Sequence, residues 1–195
     1  MPAVAARTLT FTPEEYFAWE ETQDVRHEYH FGEVYAMPGG TSAHARLIAD
    51  LTAALHIALR GTDCVVLSEA MRIEVLKDAQ YVYPDVSVVC GEPAFRGGAE
   101  TTLLNPTVVC EVLSPKTADY DRGEKLAGAG LRLAYYRAVP SVQAVLFADP
   151  ERRSVQLARR TETSWARDEP VEDGGVEVGA LGVTLPLDDL FGGRA

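Results

Sequence analysis

Thr107-Val108-Val109-Cys110-Glu111-Val112-Leu113 is a continuous, mostly apolar run closed by Ser114-Pro115. A run that is apolar on both alternating faces belongs inside a sheet covered on both sides. It predicts a central strand over 107–113, broken by the proline. The exception inside it is Glu111. A carboxylate in a buried strand is destabilising unless it is paired or bound to a metal. Alternation puts Glu111 on one face with Val109 and Leu113.

A second apolar run carries a second acid: Tyr83-Pro84-Asp85-Val86-Ser87-Val88-Val89, within a strand predicted over about 81–90. Pro84 bends that strand or places it at an edge. Two apolar strands with one acid each predict neighbours in a sheet, with Asp85 and Glu111 converging. Hard oxygen ligands of this kind suit magnesium or manganese. A buried ion pair with an arginine, Arg122 or Arg72, accounts for Glu111 equally well.

Around these strands the punctuation is clear. Thr12-Pro13-Glu14-Glu15 opens a helix with a capping box and proline at its first position. The alternation of 27–37 about Gly32 predicts a hairpin. Thr41 or Ser42 caps a long helix on which Leu47, Ile48, Leu51, Leu55 and Leu59 recur, and Gly61 stops it. Strands follow over about 63–67 and 70–76. The segment 91–106, with three glycines and two prolines, reads as a surface loop. A helix is predicted over about 120–138, a strand over 142–148, and short antiparallel strands with Gly174-Gly175 at a turn beyond Glu151. This order predicts an α/β (α+β) fold, with a mixed central β-sheet flanked by helices, in one domain spanning 1–195.

The chain has 195 residues and a net charge of −11, which excludes holding nucleic acid by bulk charge alone. Cys64, Cys90 and Cys110 form no CxxC pair and predict reduced, buried thiols of a cytoplasmic protein. No long apolar segment marks a secretory signal or a membrane span.

Downstream lies Asp119-Tyr120-Asp121-Arg122-Gly123-Glu124-Lys125. Lys125 makes a solvated i,i+4 pair with Asp121 or, taken with Glu111, orients or activates a water beside a metal. His44, near the start of the long helix, positions a water or a phosphate, or simply caps and packs. Glu33, at the hairpin turn, adds a metal contact or is a solvated turn acid.

Pro84-Asp85, then Glu111, then a lysine resembles the PD-(D/E)XK nuclease superfamily. More narrowly, the chain resembles the Uma-type putative restriction endonuclease family over nearly its whole length. The matching stretches are Thr12-Pro13-Glu14-Glu15-Tyr16, Gly32-Glu33-Val34-Tyr35-Ala36-Met37, His44, Tyr83-Pro84-Asp85-Val86 and Glu111-Val112-Leu113-Ser114-Pro115. They continue through Asp121-Arg122-Gly123-Glu124-Lys125, Leu181-Gly182-Val183 and Leu185-Pro186-Leu187-Asp188-Asp189-Leu190. The resemblance implies a restriction-endonuclease-like fold and magnesium- or manganese-dependent phosphodiester hydrolysis. It implies that Asp85 and Glu111 hold the metal, with the Val112 carbonyl as a third ligand. The usual acid-x-lysine triplet is split, because position 113 is leucine, and Lys125 takes the lysine's place on the following helix. The chain departs from the family in about seven extra residues over 126–132. Seven residues are close to two helical turns, so the downstream face stays nearly in phase.

The segments implied to line the site, 41–60 and 111–137, are the least acidic parts of the chain. The expectation is a metal-dependent endonuclease acting on nucleic acid, DNA first, with a two-fold homodimer open to it. The alternative is a catalytically inactive binding module of the same fold. Two close carboxylates without metal repel, so Glu111→Gln is expected to leave stability near neutral or raise it.

Overall fold

The computed structural model describes residues 10–37, 39–68, 70–114 and 132–192. Helix α1 (Pro13–Glu20) starts at the expected capping box: the Thr12 hydroxyl accepts from the Glu15 N–H, and the Glu15 carboxylate accepts from the Thr12 N–H. Strands β1 (His27–His30) and β2 (Glu33–Ala36) form the expected hairpin. Phe31 and Gly32 make its turn at φ of 52° and 99°, left-handed values that glycine adopts freely. Helix α2 (Ser42–Ala58) follows, capped by Thr41.

The chain then lays down β3 (Cys64–Ser68), β4 (Arg72–Leu76), β5 (Gln80–Val82), β6 (Val86–Cys90), β7 (Thr102–Leu103) and β8 (Val108–Val112). After α3 (Arg132–Ala138) come β9 (Ala144–Asp149), β10 (Ser154–Arg160), β11 (Trp165–Arg167), β12 (Gly175–Val178), β13 (Val183–Pro186) and α4 (Leu187–Phe191). One sheet has the order β2-β1-β5-β4-β7 and another β11-β10-β9-β8-β6-β3, while β12 and β13 pair alone. Both larger sheets are mixed, through the parallel pairs β4–β7 and β8–β9.

The six-stranded sheet is covered on both faces, as the apolar run of β8 requires. Leu47, Ile48, Leu51 and Leu55 of α2 pack against Val86, Val88, Val108, Cys110 and Val112 on one face. On the other, Val89, Val109, Leu113, Val145 and Phe147 meet α3 and the inner residues Ile73, Val75 and Val82 of the five-stranded sheet. Tyr16, Tyr29 and Tyr81 form a third cluster between α1 and that sheet.

Three expectations need correction. The strand expected over 81–90 is two strands in different sheets: the chain leaves the five-stranded sheet after β5, passes through Pro84-Asp85 and enters the six-stranded sheet as β6. Apolar residues on both sides of the break hid it. The segment 91–106 is not wholly a surface loop, because Thr102 and Leu103 are buried as β7. Two inward residues among glycines and prolines leave no periodic signal. Finally, Cys64 and Cys90 are not reduced thiols. They stand directly opposite across β3 and β6, with Cα atoms 3.9 Å apart, and form a disulfide. Sequence spacing does not reveal cross-strand register. Cys110 is buried and free as expected, and burial pushes its thiol well above the usual range. Among the described residues no helix is long and apolar enough to cross a membrane.

Candidate active site

The site lies where the two sheets meet, and the proline break creates it. Cys110 pairs with Val86 in the antiparallel ladder of β6 and β8. One step further along that register, Asp85 stands opposite Glu111. Asp85 is held by the next residue of β8, because the Val112 N–H donates to its Oδ2 at 2.7 Å. His44 Nε2, from the first turn of α2, approaches the same oxygen at 3.6 Å.

Glu111 is 4% exposed and held from α3. The Tyr136 hydroxyl donates to Glu111 Oε1. Arg132 Nη1 lies 3.2 Å from that oxygen and donates to the Tyr136 hydroxyl at 3.3 Å. Arg132 and Tyr136 are four apart on one helix face, so one element presents both groups. Burial, followed by the Glu111 charge, pushes the Tyr136 phenol well above its ordinary value, so it remains a donor.

A third carboxylate, Glu28, enters from β1 of the other sheet. Arg132 Nη2 reaches Glu28 Oε1 at 2.7 Å, so one guanidinium spans both sheets. The Tyr83 N–H donates to the same oxygen at 3.4 Å. His30 Nε2 contacts Glu28 Oε2 at 3.2 Å, while the Gln80 amide donates to His30 Nδ1 at 3.0 Å. An amide donor on Nδ1 leaves the ring proton on Nε2, facing the carboxylate. Burial raises the Glu28 pKa, but Arg132, His30 and the Tyr83 N–H together outweigh it and hold the carboxyl below its ordinary value.

Val112 and His44 both contact Asp85, which stands across the register of β6 and β8 from Glu111. Of Val112 the structure shows the N–H that fixes Asp85. Glu33 is exposed on edge strand β2, where its carboxylate accepts from the Tyr35 hydroxyl. Lys125 lies outside the described residues, as do Asp121 and Arg122. Arg72 is not the partner of Glu111. It donates to Thr102 at 2.9 Å and to Tyr83 at 3.2 Å, and lies 4.4 Å over the Phe17 ring. Among the described residues, the arginine that reaches Glu111 is Arg132.

Sequence reasoning missed Glu28, Arg132 and Tyr136. Glu28 sits in an alternating hairpin whose inward face is itself polar, so nothing marked it. Arg132 had a signal: it lies seven residues beyond Lys125, at the end of the extra segment 126–132.

The donor set suits a hard divalent cation. Magnesium is commonly held by one or two carboxylates, with waters and substrate phosphates completing its shell. Asp85 and Glu111 would supply that share. Among the described residues no group of three or more His, Cys, Asp or Glu forms a closed metal cage.

A family model described as "Uma2: Putative restriction endonuclease" matches residues 13–188. An uncharacterized protein of Synechocystis sp. is 32% identical over 94% of this chain and 93% of its own length. A second uncharacterized Synechocystis protein is 30% identical over 75% of this chain and 78% of its own. Among solved structures, a chain described as a "putative nuclease belonging to DUF820" from Anabaena variabilis superposes with a TM-score of 0.69 at 21% identity, covering 93% of this chain and 98% of its own. That likeness is one of architecture: mixed sheets flanked by helices in a restriction-endonuclease-like fold.

Proposed function

The chain belongs to the Uma2 family, described as "Putative restriction endonuclease", and from that premise we propose that it is a divalent-metal-dependent nuclease that cleaves DNA. The observation that carries this reading is the register that sets Asp85 opposite Glu111 at the junction of two sheets, each carboxylate held by a buried donor. Asp85 and Glu111 would hold magnesium or manganese, with the Val112 carbonyl as a further ligand. Bound there, the ion supplies an acidified water and stabilises charge on phosphate oxygens.

The protein's own groups do the rest. The Val112 N–H fixes the orientation of Asp85, and Tyr136 fixes Glu111. His44, beside Asp85, orients a water or a phosphate oxygen. Arg132 places a permanent positive charge beside the carboxylates, where it favours the negative charge that develops on a phosphate in the transition state. Lys125, in the segment before α3, supplies a second cation that orients or activates the attacking water.

The test is incubation with single- and double-stranded DNA and RNA under magnesium or manganese, beside Asp85→Ala. Metal-dependent cleavage of DNA that the variant lacks supports the reading. Cleavage of RNA alone would change the substrate, and binding without cleavage of any substrate would favour a nuclease-fold binding module.

A further inference from the structure

Arg132 makes the most unusual contact in the site. Its guanidinium reaches Glu111 at 3.2 Å and Glu28 at 2.7 Å, bridging carboxylates that belong to different sheets. Its side chain is 15% exposed, against 6% for Glu111 and 10% for Glu28. The cation thus sits at the outer lip of the carboxylates and closes over them. A guanidinium stays charged at any ordinary pH, and its planar fork matches both carboxylates and phosphates.

We propose that Arg132 is an internal counterion that competes with the divalent cation for Glu111, and that a nucleic-acid phosphodiester draws it away. This rests on the metal-dependent reading above and deepens it. Without the ion, the guanidinium neutralises Glu111 and Glu28. When the ion takes Glu111, Arg132 loses one of the two carboxylates that hold it among the described residues, and a phosphate at the lip offers a replacement. Metal and phosphodiester binding are then positively coupled, and coupling of this kind acts equally in both directions. A purely structural brace between the sheets would show no such coupling.

The experiment measures manganese affinity by electron paramagnetic resonance on the full chain, with and without a phosphorothioate DNA oligonucleotide. Wild type should bind manganese weakly alone and about tenfold more tightly with the oligonucleotide, a coupling of about 1.4 kcal/mol. Arg132→Gln should bind manganese alone at least about tenfold more tightly than wild type, and the oligonucleotide should add little. Arg132→Lys keeps a cation but cannot fork across two carboxylates. It should fall between the two, and it keeps the test open should the glutamine variant fail to fold. Manganese affinities in either folded variant equal to or weaker than wild type would overturn the inference and leave the metal site standing. No manganese binding by wild type or either variant would overturn the inference together with the reading on which it rests.

Discussion

Glu111 shows what a single buried residue announces in a sequence and what it withholds. Its position in an apolar strand declared that something must compensate it, and Asp85 declared the same. What compensates Glu111 was not legible. Tyr136 and Arg132 come from a helix 21 or more residues downstream, and their convergence depends on packing between layers. This changes an expectation. Repulsion alone made Glu111→Gln neutral or stabilising without metal, but the carboxylate accepts from a buried tyrosine and neutralises an arginine. Removing its charge should lower stability by about 1.5–3 kcal/mol, the range for a hydrogen bond to a charged group. Urea unfolding of both proteins in chelator measures this, and an unchanged or raised midpoint would show that Arg132 is not engaged in solution. Tyr136→Phe deletes only the hydroxyl and should cost about 1 kcal/mol by the same measurement.

Glu28 gives the residue scale a pH signature. Its carboxyl is held below its ordinary value, with Arg132 the largest stabilising influence. A group whose pKa is lower folded than unfolded stabilises fully at neutral pH. That stabilisation drains away as pH falls below about 4.3 and on through the lower folded value. Arg132→Gln weakens the cause of the depression and should therefore narrow the gap in melting temperature between variant and wild type as the pH drops from 6 to 3. A gap that stays constant over that range would show that Glu28 does not depend on Arg132.

At the scale of elements, local chemistry was readable wherever it was self-contained. The capping box of α1, the hairpin turn of β1 and β2, and the apolar stripe of α2 each depend on residues a few positions apart. The split of 81–90 and the Cys64–Cys90 bond depend on which strands lie side by side, which no local pattern records. The bond ties β3, the edge of the six-stranded sheet, to β6, the strand that follows Asp85. It closes a loop across a separation of 26 residues and should contribute about 3 kcal/mol through the unfolded chain. Alkylation in denaturant without reductant should label one thiol, Cys110, and reduction should lower the melting temperature by several degrees. Labelling of all three cysteines would contradict the bond.

At the scale of the molecule, the chain crosses from one sheet to the other at Pro84-Asp85, and the site draws on both sheets together with residues of two helices. The order of predicted elements conveyed a mixed sheet flanked by helices, yet not that the strands divide into two sheets or that the site falls at the crossing between them. The net charge of −11 places the burden of holding a polyanion on local groups such as Arg132 and on any bound cation. The central claim is that Asp85 and Glu111 form a metal-dependent hydrolytic site. Its most direct test is the single-turnover cleavage rate of duplex DNA in magnesium, for wild type and for Asp85→Asn of equal melting temperature, with chelator as the control. The account predicts cleavage by wild type that chelator abolishes, and a rate at least about a hundredfold lower in the variant, some 2.7 kcal/mol of lost transition-state stabilisation. Equal rates in the two proteins, or cleavage that persists in chelator, would contradict it.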